Sequence, residues 1–340
     1  MMSQLQLSLL ILGGVLLLAL GVYNIWLTLR FPPDEKEVAV DSSFHVSRSH
    51  EPGLDAGEFE VDGASSSTVG LDALIDVIAP ITMESPVLGE TVLAALPPMS
   101  LIGSKPFAIE GFNISSHRWE PPRAGQSYRL LQAGIQLVNR SGALNNIEFS
   151  DFVTTTQHYC DLVNGTPDFP IMKNEIKRAR ELDQFASEHD AQLCFVLRAK
   201  QAAWSPDYIL QTAARHGFIA GAEAGRMVIP AIVPGMPPVL GLTFETRPAL
   251  SQDSAEAALR EVVLSLDVTH IPRSEAAFDR MRSVAMALAW EMDGTVTDDR
   301  GVDLPQEAMD VIAAELSRLY DTLDQRELSA GSPLAQRLFS

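Results

Sequence analysis

From Leu7 to Leu27 the chain carries no charge, and Ser8 and Asn24 are the polar interruptions in an otherwise apolar run. At about 1.5 Å of rise per residue this makes a helix of roughly 31 Å, the thickness of a bilayer's hydrocarbon core. Leu7 and Leu16 fall inside the span. Tyr23 and Trp26 stand near its C-terminal end, where an aromatic belt meets the headgroups, and Arg30 follows, while the residues before the span hold no Lys or Arg. By the positive-inside rule the bulk of the chain is expected on the cytoplasmic side. A cleavable signal peptide would want a basic start, a shorter apolar core and a small-x-small cleavage site, none of which is present. The segment reads as a permanent anchor to the lipid bilayer.

The 340 residues leave enough chain after the anchor for one large domain or two ordinary ones. Twenty-five basic residues against 44 acidic ones give a formal net charge of −19, which repels nucleic acid and anionic headgroups alike. No nucleic-acid partner is expected. Cys160 and Cys194 stand far apart and form no C-x-x-C pair, so they read as core thiols in a reducing compartment. The N-x-S/T triplets at Asn113, Asn139 and Asn164 read as chance matches.

Residues 31–70 hold nine acidic side chains against Lys36 and Arg48, with no sustained apolar period, and are expected to be a disordered tether. As a flexible chain, forty such residues have an r.m.s. span of roughly 35 Å. Beyond Leu71 the apolar content becomes patterned. Leu193 to Leu197 is a continuous apolar strand, and Ser205-Pro206 opens a helix running to Gly217. Strands follow at 226–231, 239–246 and 261–268. In the last, Val262, Leu264, Leu266 and Val268 share one side, and Val263, Ser265 and Asp267 share the other. Ser274 is expected to open a helix that Asp293-Gly294 ends, and a short strand then leads to a last helix over 305–323. The order βαβββαβα argues for an α+β layer with helices on one face of an antiparallel sheet.

Residues 71–190 repeat this plan. Ser85-Pro86 precedes Ser205-Pro206 by 120 residues, each after an apolar strand, the first at 74–78. Asn164-Gly165 precedes Asp293-Gly294 by 129, and Phe149 precedes Phe278 by the same offset. Strand 131–138 then corresponds to 261–268, and helix 172–189 to the last helix. Steady offsets point to two tandem domains joined at Asp190-Ala191; the alternative is one composite domain.

No motif calls for catalysis. In Glu291-Met-Asp-Gly-Thr-Val-Thr-Asp298 the position of the nucleophilic aspartate of D-x-D-G-T hydrolases holds Glu291, at the end of a helix rather than of a buried strand. The seven histidines form no metal-ligand spacing, and there is no nucleophile elbow, P-loop or dinucleotide fingerprint. No catalytic residue, cofactor or metal is expected, and the chain reads as a non-enzyme. A surface argument remains. The water-facing side of a sheet covered by helices on one face should alternate apolar with polar, yet Leu193 to Leu197 and Met227-Val228-Ile229 are apolar throughout. A bare apolar sheet face is a binding surface, unless the companion domain or a loop covers it.

The anchor beginning Met-Met, the acidic linker, and a domain of strand, helix, Gly217-Phe218, three strands, long helix and D-G-x-x-x-D-D from Asp293 to Asp299 resemble the ZipA-type family of cell division proteins. The likeness is architectural over the chain and motif-level over about 191–325. It implies a split β-α-β fold whose open sheet face is a shallow apolar groove for the C-terminal tail of FtsZ, with no cofactor. Carried over by position, the groove residues are Leu193, Phe195 and Leu197, then Met227 and Ile229, then Thr243, then Val263 and Ser265. Thr243 and Ser265 make the last two strands more polar than the family's groove, and 71–190 has no counterpart in the best-known members.

The implied layout is an anchor over 1–30, a linker over 31–70, a degenerate ZipA-like domain over 71–190, an FtsZ-binding domain over 191–327 and a tail over 328–340. The implied role is an adaptor at the septum that tethers FtsZ to the inner membrane, single-pass, N-terminus periplasmic and C-terminal domains cytoplasmic. The alternative is a single-span envelope scaffold or sensor with its α+β part outside the cytoplasm.

Overall fold

A long strand, β1 (Asp76–Leu88), organises the first half of the folded chain. After it come α1 (Gly89–Ala94), β2 (Leu101–Ile102), β3 (Lys105–Asn113), β4 (Arg118–Glu120) and β5 (Ser127–Gln136). A small hairpin of β6 (Val138–Asn139) and β7 (Gly142–Ala143) leads to α2 (Asn146–Val163), β8 (Gly165–Pro167) and α3 (Met172–His189). The computed structural model describes residues 70–233, 235–245 and 258–340. The apolar span 7–27 and the acidic stretch up to residue 69 lie outside the described residues, and among those described no helix is long and apolar enough to cross a membrane.

The second half opens with β9 (Gln192–Ala199), then α4 (Pro206–Arg215), β10 (Ile219–Ala220), β11 (Arg226–Ile229), β12 (Leu240–Thr243) and β13 (Glu261–Asp267). It continues through α5 (Ala277–Glu291), β14 (Gly294–Thr297), α6 (Gln306–Gln325) and α7 (Pro333–Leu338). The protein is therefore mixed α+β with antiparallel sheets. The first sheet has the order β2-β3-β5-β1-β8, with β4 also on β3; the second runs β10-β11-β12-β13-β9-β14. In each, the first strand of its half lies between the last long strand and a short strand that follows a long helix.

Local chemistry explains the elements. Asn145 caps α2 by accepting from the Ile147 and Glu148 amides while the Glu148 carboxylate reaches back to the Asn145 amide, and Phe149, Phe152, Tyr159, Cys160 and Val163 give the helix its buried side. Ser205 caps α4, with Pro206 in its first turn. Asn164 and Asp293, each just past a long helix, take left-handed backbone angles with φ of 54° and 50°. The residue that turns the chain is thus the Asn or Asp, while the glycine after it begins a strand. A Cβ on Gly165 would stand 2.7 Å from an Ile81 methyl, so the small residue is there for close strand approach.

Three sequence expectations are corrected. Ser85-Pro86 lies inside β1, at the irregularity between Thr82 and Val87, and opens no helix; a proline fits there because the ladder is already interrupted. Ser274 falls in a 3-10 turn, Arg273–Glu275, and α5 starts after Ala276. Residues 328–340 are not a loose tail, since Leu328, Ala335, Leu338 and Phe339 are buried.

That last segment links the two halves of the described part of the chain, which belongs to one compact unit. On the side of the second half, the His270 ring pairs with the Phe339 carbonyl and Gln336 donates to the His270 carbonyl. Toward the first half, Arg337 donates to the fully buried Asp76 carboxylate at 2.5 Å, and Gln136 donates to the Arg337 carbonyl. Burial pushes the Asp76 carboxyl above its usual range, and the Arg337 guanidinium opposes this. The boundary expected at 190/191 falls between α3 and β9 and is tied down by Arg140, which pairs with both Asp190 and Asp267 at 2.8 Å.

Candidate partner-binding face

Register decides which side chains of the second sheet share a face. Leu193 stands opposite Leu266, Phe195 opposite Leu264 and Leu197 opposite Val262. Leu264 continues to Leu242 and on to Met227, and Leu240 meets Ile229. This is the helix side. The Phe195 ring packs edge-on against Phe278 of α5, centroids 6.1 Å apart at 75°, and Phe195, Leu197, Met227 and Ile229 are buried.

The other face carries two rows. One runs Ile219, Val228, Gly241, Ser265, Cys194, and the next runs Arg226, Thr243, Val263, Val196, Thr297. Ile219 is 54 % exposed, Cys194 and Thr243 are exposed, and Val228, Val263 and Ser265 are half-buried. A Cβ on Gly241 would stand 2.5 Å from the Ser265 hydroxyl oxygen, so the glycine keeps the floor low between Val228 and Ser265. Toward β14 the face closes: Val196 and Thr297 are buried, and the turn after Thr297 folds back with the Asp298 carboxylate accepting from the Arg300 and Val302 amides. Burial and the nearby Asp299 carboxylate push the Cys194 thiol up. Arg198 pairs with Glu261 at 3.2 Å along one margin.

The residues expected to line one groove therefore divide. Thr243, Val263 and Ser265 do face away from the helices, whereas Leu193, Phe195, Leu197, Met227 and Ile229 face them and belong to the core side. Side chains alternate with period two, so a shift of one residue on an all-apolar strand exchanges its faces. The positions that replace them are Cys194 and Val196 on β9, Val228 on β11 and Ile219 on β10. Ile219 was invisible as a strand residue because its element is two residues long. The anchor residues Leu7, Leu16, Tyr23, Trp26 and Arg30 lie outside the described residues.

Glu291 takes its carboxylate to Arg215 and to His216, the latter at 3.0 Å, Asp293 is exposed at its left-handed turn, and Asp298 holds its own loop. Among the described residues no three His, Cys, Asp or Glu side chains gather as metal ligands.

The first sheet treats its open face differently. Leu71 lies across it so closely that a Cβ on Gly134 would stand 2.4 Å from a Leu71 methyl, and the buried Glu110 carboxylate accepts from the Leu71 amide and from Gln132. The second sheet thus keeps the barer apolar face.

An antiparallel α+β layer with an open apolar sheet face offers a surface on which a partner can be held. Residues 250–315 match the family model described as ZipA, C-terminal FtsZ-binding domain, which supports a ZipA-type protein. The match spans β13, α5, β14 and the start of α6. No curated protein matches the chain.

Proposed function

We propose that the protein is an adaptor of the bacterial division ring that tethers FtsZ to the inner membrane, taking the FtsZ C-terminal tail on the open face of the second sheet. The observation that carries this reading is that the FtsZ-binding family match includes β13, whose Val263 and Ser265 lie at the centre of that face. The chemistry is passive. Roughly 300 Å² of apolar surface at about 25 cal/mol per Å² gives a gross gain of about 7 kcal/mol, much of it offset by ordering the peptide. Micromolar affinity per tail follows, and strength comes from many tails of one filament meeting many anchored adaptors.

In this reading residues 7–27 span the bilayer with the folded part cytoplasmic, 31–70 set the reach, and the first sheet is a second copy of the same fold. The shared placement of β1 and β9 in their sheets and the matched left-handed turns at Asn164 and Asp293 support the duplication. The test is titration of the chain with a peptide copying the FtsZ tail, alongside Val228→Asp and Val263→Asp. Loss of binding in both variants with an unchanged circular dichroism spectrum supports the proposal, and binding equal to wild type refutes the face. A C-terminal reporter fusion active only outside the cytoplasm would refute the topology.

A further inference from the structure

The open face of the second sheet ends on a side chain from the first half. Along β13 the side chains facing away from the helices are Val263, Ser265 and Asp267, and along β9 they are Val196, Cys194 and Gln192. The Asp267–Gln192 pair is therefore the next row beyond Ser265–Cys194, about 7 Å along the strands. Against this row rests the guanidinium of Arg140, carried by the turn between β6 and β7.

Its donors are shared between the ends of both strands. Nε and Nη2 donate to the two carboxylate oxygens of Asp190, just before β9, at 2.9 and 2.8 Å, and Nη2 also meets the Asp267 carboxylate at 2.8 Å. The Gln192 side-chain amide stands 2.9 Å from the same guanidinium. Asp267 accepts in addition from the Thr269 hydroxyl at 3.1 Å and faces the His270 ring at 3.5 Å. The Arg140 amide donates to the Ser340 carbonyl at 2.9 Å, so the C-terminal segment fixes the backbone from which the side chain reaches out. One arginine thus joins the entry of β9, the exit of β13 and the C-terminal segment, and it reaches both strands through side chains of the open face.

We infer that the first half is a working part of the partner face: Arg140 is a positioning residue that forms the end wall of that face and keeps the ends of β9 and β13 together beneath the incoming tail. This rests on the tail-binding reading of the same face. Because Nη2 lies 2.8 Å from a carboxylate oxygen on either side, removing the cation leaves Asp190 and Asp267 as like charges at close range, which drives the two strand ends apart. Fraying there displaces Cys194 and Ser265, one row away. The first half then has a task that needs no groove of its own.

The test is hydrogen–deuterium exchange and titration with the FtsZ tail peptide, both on the full chain, for Arg140→Ala, Arg140→Lys and Arg273→Ala. The last removes an equally short ion pair, to Asp321 at 2.7 Å, on the helix side. Expected in Arg140→Ala is at least tenfold faster exchange in 190–194 and 265–268, unchanged exchange in 226–229 and 240–243, and at least fivefold weaker tail binding. Arg140→Lys, which keeps a cation between the carboxylates, recovers at least half of each effect on a logarithmic scale, and Arg273→Ala matches wild type. Unchanged exchange in 190–194 and 265–268 overturns the inference, as does faster exchange there with full tail affinity. Exchange that rises throughout the chain, or an equal loss in Arg273→Ala, overturns it too, because either marks a general loss of stability. A wild-type chain that binds no tail peptide refutes the tail reading, and the exchange result then decides by itself for or against the brace.

Discussion

Phe195 and Phe278 meet edge to face at 6.1 Å, and this contact tells the two sides of β9 apart. It turns Phe195 to the helices and leaves Cys194 and Val196 on the other side, in line with Ser265 and Val263. The contrast gives a direct test. Phe195→Asp buries a charge where a ring 2 % exposed now packs, and should cost more than about 3 kcal/mol in denaturant unfolding. Val228→Asp, on the open side, should stay within about 0.5 kcal/mol of wild type and lose at least tenfold in affinity for the FtsZ tail peptide.

Cysteine chemistry reads the same face without mutation. Cys194 is exposed there, while Cys160 is buried in the first half with its thiol pushed up to about 11. At pH 8 a thiol of that pKa is about 0.1 % thiolate, so Cys160 should react with iodoacetamide only on unfolding. Cys194 should be labelled in the native protein, slowly because its own thiol is raised, and saturating tail peptide should slow it at least fivefold as followed by mass spectrometry.

The buried pair of Asp76 with Arg337 should dominate the coupling of the C-terminal segment to the first sheet. Arg337→Leu strands a carboxylate and should cost about 3–5 kcal/mol, as expected when one partner of a buried pair is removed. The sign of the pH dependence follows from the raised Asp76 pKa. Between the unfolded and folded values the native state holds more protons, so this group's contribution to stability is present at low pH and is lost as pH rises through the folded value. Arg337 opposes the shift, so Arg337→Leu should enlarge it, and urea midpoints should rise more steeply on acidification from pH 7 to 5 than in wild type.

Asp293 tests the backbone in place of a chemical role. At φ 50° a β-branched side chain is strained, so Asp293→Val should cost about 1–2 kcal/mol in thermal or urea unfolding. Asp293→Asn keeps a residue that tolerates the left-handed region and should be neutral in stability and in peptide binding.

Much of this architecture was readable from residue pattern. Helix 172–189 appears with the expected bounds, and the strict alternation of β13 put Val262, Leu264 and Leu266 inside and Val263 and Ser265 outside. Both signals are local and one-sided: a helix or strand with one apolar face announces which face is buried. The first half was harder, because Ser85-Pro86 has the look of a helix start but sits at a strand irregularity that only the pairing with β5 creates.

Sequence alone established the apolar run 7–27, the acidic excess, the α+β order and the likeness that the family match bears out. It could not choose a face for Leu193-Cys-Phe-Val-Leu197 or Met227-Val-Ile229, since strands apolar at every position carry no alternation. Tertiary structure made that choice through register with β13 and β12 and through the packing of Phe278, and it also drew residues 333–340 into the core. The physical reason is that burial depends on what lies across the sheet and over it, and for Phe195 that neighbour is Phe278, 83 residues further along the chain.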